Sequence, residues 1–111
     1  MVKLLDTGVK NVRATLVCQY GGELKFPIGV VASGGRVYVC DSGNNRVAVF
    51  EERTGRVALE LRRDLQRPSA VLVCERRGEV YVKDDRQVAV FRKGGEFVRS
   101  FGANFLARPY G

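Results

Sequence analysis

Arg36-Val37-Tyr38-Val39-Cys40-Asp41-Ser42-Gly43-Asn44-Asn45-Arg46-Val47-Ala48-Val49-Phe50 decides how this chain is read. Two apolar runs, Val37–Cys40 and Val47–Phe50, flank a polar loop of residue types that favour turns. The runs are rich in β-branched and aromatic residues and too short for helices, so they read as two antiparallel strands. Both are apolar at consecutive positions rather than alternating, which means that both faces of the sheet need cover. The same words return as Glu79-Val80-Tyr81-Val82-Lys83-Asp84 and Gln87-Val88-Ala89-Val90-Phe91.

Working outward, prolines stand at 27, 68 and 109, a constant spacing of 41 residues. Repeat units therefore run over about 26–66 and 67–107, with a further unit starting at 108. Gly55-Arg56-Val57-Ala58-Leu59-Glu60-Leu61 matches Gly95-Glu96-Phe97-Val98-Arg99-Ser100-Phe101, and Ile28–Ala32 supplies another apolar segment. The second unit gains two residues before Val80 and loses two before Val88, so length varies only where turns are expected. Four strands in each repeat of this length predict an all-β chain of four-stranded antiparallel blades, a β-propeller segment.

The segment over 15–20 reads as the last strand of a preceding blade, 103–107 as a connector, and residues 1–14 are unassigned. That makes two complete blades with partial blades at both ends, whereas closed propellers use about four to eight. The chain is thus expected to be either a fragment or an assembling piece, with self-association through exposed blade faces.

Composition narrows the function. The 111 residues are 45% hydrophobic, enough for a core and against disorder of the whole chain. Lys and Arg outnumber Asp and Glu by 19 to 12, a net charge of +7 that favours polyanionic partners. No apolar run is long enough to span a bilayer and the N-terminus lacks a signal-like apolar core, so a cytoplasmic protein without membrane attachment is expected. Cys18, Cys40 and Cys74 are odd in number and widely spaced, which argues against a disulfide framework. With no histidine and no C-x-x-C pair, common zinc sites and imidazole-based catalysis are excluded, and no cofactor, metal or enzymatic activity is expected.

The repeat resembles the NHL repeat, whose pattern reads roughly P-x-G-V-A-V and then I-Y-V-A-D-S-x-N-x-R-I-x-V-F. Phe26-Pro27 through Ala32 and Arg36–Phe50 follow it closely. The second unit follows it through Arg67-Pro68 and Glu79–Phe91 but shortens the loop to Asp84-Asp85-Arg86-Gln87. The resemblance covers about residues 15–111. It implies a six-bladed propeller and, in the tripartite-motif NHL proteins, a C-terminal domain that binds RNA or protein partners, with ubiquitin-ligase activity supplied by an upstream RING and B-box region.

In a propeller, the loops between blades and those between the second and third strands share one face. This places Lys25, Arg46, Arg67, Arg86 and Arg108 together with Phe26 and Tyr110, a set that could neutralise phosphates and stack unpaired bases. Asp41, Asn44, Asn45 and Asp84 are assigned instead to holding the loops, because Asp and Asn satisfy turn backbones and Asn tolerates left-handed geometry. The expected function is a non-catalytic module binding single-stranded RNA through a basic face. The alternative is a protein-interaction platform of a ubiquitin-ligase-type protein, recruiting substrates or partners.

Overall fold

The computed structural model describes residues 24–102. These form strands β1 (Pro27–Ser33), β2 (Arg36–Asp41), β3 (Arg46–Glu51), β4 (Val57–Leu61), β5 (Ala70–Cys74), β6 (Glu79–Lys83), β7 (Val88–Arg92) and β8 (Phe97–Phe101). A 3-10 turn, Ser42–Asn44, joins β2 to β3. The strands make two antiparallel sheets in chain order, β1-β2-β3-β4 and β5-β6-β7-β8, and each is one blade. The apolar segments of both repeats are therefore strands. The expected strand over 15–20, the connector over 103–107, the new start at Arg108, Cys18 and residues 1–14 lie outside the described residues.

Register makes the two blades equivalent. The row Val31, Tyr38, Val49, Leu59 across the first blade matches Leu72, Tyr81, Val90, Arg99 across the second. The two residues that the second unit gains before Val80 lie in a turn: β1 and β2 are joined by Gly34-Gly35 alone, both left-handed, whereas β5 and β6 take the longer Glu75–Gly78 turn. A two-residue hairpin with two positive φ angles needs glycine or a similarly tolerant residue.

Because strand residues alternate between faces, the consecutive apolar runs bury both sides of the first blade. One side presents Tyr38, Cys40, Val47, Val49 and Leu61 to Val80, Val82, Ala89 and Phe91 of the second blade, with Leu65 of the connector closing the same core. The other side packs Val37, Val39, Ala48 and Phe50 with Leu24. Each valine, leucine or phenylalanine among them removed from water stabilises the fold by about 1.5–3 kcal/mol. The blades therefore stack head to tail, the tyrosine face of one on the valine face of the next. On the tyrosine face of the second blade Val90 is buried, while Leu72 is 63% and Phe101 49% exposed.

At the innermost strands the blades touch through backbone. A Cβ on Gly29 would stand 2.8 Å from the Ser69 carbonyl oxygen, so only glycine fits there. Gly29 follows a bulge at Ile28, which lets β1 bend into this approach. At the edge opposite the Asp41 loop, Glu75 accepts hydrogen bonds from Ser33 Oγ and Lys93 Nζ, and Arg36 donates to the Lys93 carbonyl at 3.0 Å. The bond from Lys93, followed by that from Ser33, holds the Glu75 carboxyl below its usual range.

Cys40 is a core residue whose thiol is pushed up to about 12 by burial, while Cys74 is half-buried, and both thiols are free. Among the described residues, no helix is long and apolar enough to cross a membrane, and no group of three or more His, Cys, Asp or Glu residues could hold a metal ion.

Candidate functional site

Two buried aspartates build the loop edge of the blades. Asp41 is fully buried and accepts from the Lys25 amide, from Asn44 Nδ2 at 2.9 Å and from Arg46 Nε at 2.7 Å. Asp84 accepts three amides, those of Gln66 and Arg86 at 2.8 Å and of Gln87 at 2.9 Å. Lys25 and Gln66 both stand two residues before a blade's proline, so each aspartate ties the loop entering its blade to the loop between its second and third strands. Second bonds close the same ties: the Gly43 amide reaches the Lys25 carbonyl at 2.7 Å and the Asp85 amide reaches the Gln66 carbonyl at 3.0 Å. A carboxylate accepting several N–H groups is a strong tie, since charge-assisted hydrogen bonds exceed neutral ones.

The candidate residues separate into two kinds. Arg46 is held by Asp41 and by Glu60 at 3.0 Å, and its side chain is only 12% exposed. Asn44 feeds Asp41, while Asn45 is left-handed at φ 53° and accepts the Arg67 amide on its Oδ1 at 2.8 Å. Lys25, Arg67 and Arg86 are exposed. Arg67 pairs with Asp85 at 2.5 Å, and Arg86 donates to the Asp64 carbonyl at 3.3 Å. The fold thus gathers Lys25, Asp41, Asn44 and Arg46 in one cluster and Arg67, Asp84 and Arg86 in the next, with Asn45 bridging them. Arg108 and Tyr110 lie outside the described residues.

Three further side chains join this edge: Phe26, which the sequence places on the loop face, and Arg62 and Arg63, which it does not. Phe26, before Pro27, is 71% exposed. Arg62 pairs with Glu60 at 2.5 Å and donates to the Asn44 carbonyl at 3.3 Å, forming with Asn44, Arg46 and Glu60 a shallow polar recess. The Arg63 guanidinium lies 4.5 Å over the Phe97 ring, a cation–π contact. Phe26 has a sequence signal, its place before the repeated proline. The two arginines have none, because only the fold brings the end of β4 beside the Asn44 loop.

Carboxylates interleave with the cations along this edge. The bond from Arg62 holds the Glu60 carboxyl below its usual range, with partial burial opposing and Arg46 adding to the shift. What stays available to a ligand is an exposed aromatic ring, the Lys25 ammonium and the outer donors of Arg67 and Arg86. Chemically this suits planar and anionic groups, and among the described residues it holds no nucleophile paired with a base.

Residues 24–50, which span the Asp41 latch and the first three strands of the first blade, match the NHL repeat pattern. That stretch is similar to one NHL repeat. Protein brain tumor of Drosophila melanogaster is similar, 28% identical over an alignment covering 93% of this chain and 11% of that protein. The chain thus spans about a tenth of the length of that relative. Among solved structures, hydrazine synthase of Kuenenia stuttgartiensis is similar with a TM-score of 0.63 and 19% identity, over 70% of this chain and 23% of that one. At that identity the likeness is one of fold alone, and it agrees with the all-β blades.

Proposed function

We propose that this chain is a non-catalytic binding module of the NHL-repeat kind that takes single-stranded RNA on its loop edge. The observation that carries the reading is the exposure of Phe26 and Arg67 at matching places of successive blades, with Lys25 and Arg86 alongside. Exposed aromatic rings stack unpaired bases of any sequence, and guanidinium and ammonium groups neutralise the phosphates between them. Arg108 and Tyr110, before and after the third proline, would extend the edge by one repeat. Arg46 would act from behind it, through the loop that it holds.

The proposal covers a partial propeller over residues 15–111, acting in the cytoplasm, with further blades supplied by a longer protein or by self-association. Titration of a fluorescent single-stranded RNA with the full chain tests it. Saturable binding that weakens with salt is expected.

A second reading is supported by the alternation of charge at Arg67–Asp85 and Arg62–Glu60 beside apolar Phe26 and Ile28. Mixed charge around an apolar centre is the make-up of a protein-binding surface. In this reading the chain is the partner-recruiting platform of a tripartite-motif ubiquitin-ligase protein. A partner complex that survives high salt without RNA would favour it.

A further inference from the structure

Phe26 and Arg67 share an unusual backbone, with φ of 56° and 50°. Each directly precedes its blade's proline, a place that normally drives a residue to extended geometry, and a bulky side chain at positive φ is a steric outlier. The cause is visible on both sides. The residue before, Lys25 or Gln66, has its amide given to buried Asp41 or Asp84 and its carbonyl occupied by the Gly43 or Asp85 amide. The residue after is proline, whose φ is fixed. The single residue between absorbs the turn.

The result is display. Phe26 is 71% exposed and the Arg67 side chain 74% exposed, so neither residue recovers through burial what its backbone costs. Folding alone would favour glycine at both places. The two positions are also physically joined. The Phe26 carbonyl accepts the Ser42 amide at 3.3 Å, and at the far end of the same loop Asn45 accepts the Arg67 amide at 2.8 Å.

We infer that the residue before each blade's proline is a recognition position, strained outward by the aspartate latch, with Phe26 the stacking platform for one RNA base and Arg67 the phosphate ligand of a neighbouring nucleotide. This rests on the RNA reading above and adds to it a one-residue-per-blade rule that sets what each blade contacts.

The test uses the full 111-residue chain, a short fluorescein-labelled oligouridylate as probe, and the variants Phe26→Gly, Phe26→Trp and Arg67→Glu, each also followed by thermal unfolding. Phe26→Gly is expected to weaken binding by at least about fivefold, the loss of one stacked base, while its thermal midpoint stays equal or rises because glycine accepts the positive φ. Phe26→Trp is expected to bind at least as tightly as the parent. Parent-like affinity of Phe26→Gly, with Arg67→Glu still weakened, would overturn the display inference and leave the RNA reading standing. A lowered midpoint in Phe26→Gly would make Phe26 a structural residue and overturn it too. No binding by the parent chain would overturn both.

Discussion

Asp85 lies 2.5 Å from Arg67 on an exposed edge, and this pairing limits how much of the arginine a ligand can use. Exposed pairs are worth about 0.2–1 kcal/mol, so replacing the carboxylate should release the guanidinium at little cost to the fold. Asp85→Asn is therefore expected to raise single-stranded RNA affinity about two- to fivefold at low salt, read by anisotropy titration. Unchanged or weaker binding would count against Arg67 as a phosphate ligand. Inside the core the relevant residue is Tyr38, whose buried hydroxyl finds no hydrogen-bond partner among the described residues, whereas the equivalent Tyr81 donates to Glu79 at 2.5 Å. An unsatisfied buried hydroxyl costs free energy that phenylalanine would not incur. Tyr38→Phe is expected to match the parent or gain about 1 kcal/mol in urea unfolding; a clear loss would mean the hydroxyl is bonded.

At the scale of elements, the strands were legible because Val-Tyr-Val and Val-Ala-Val-Phe carry both β propensity and two-sided hydrophobicity, and the repeated proline fixed where each blade begins. The state of the site arginines was not legible. Whether Arg46 faces a ligand depends on Glu60, which only the pairing of Ala48 with Glu60 across β3 and β4 brings within 3.0 Å. Nor does a local pattern reveal that Phe26 is left-handed, since that follows from hydrogen bonds to a loop sixteen residues away. The element-scale claim most open to test is the close approach of β1 to the second blade. Gly29→Ala would drive a methyl to 2.8 Å from the Ser69 carbonyl and is expected to destabilise by about 1–3 kcal/mol. Gly94→Ala, in open space with no left-handed backbone, should be close to neutral in the same unfolding series.

At the scale of the whole molecule, head-to-tail stacking leaves a question of cover. The tyrosine face of the second blade exposes Leu72 and Phe101 where the same positions of the first blade are packed against a neighbour. Apolar sheet faces of this kind promote association. Leu72→Lys is expected to lower the weight-average sedimentation coefficient of the chain, and an unchanged value would show that this face does not drive assembly. Ligand binding uses a different surface, the loop edge, so the two properties should separate by mutation. The most direct test of the account is the affinity of the full chain for single-stranded RNA across a salt series, with Arg67→Glu measured beside it. The account predicts saturable binding whose logarithm falls with log salt by about 0.7 for each phosphate engaged, and a marked loss in Arg67→Glu. Absence of binding, or an affinity indifferent both to salt and to Arg67→Glu, would contradict it.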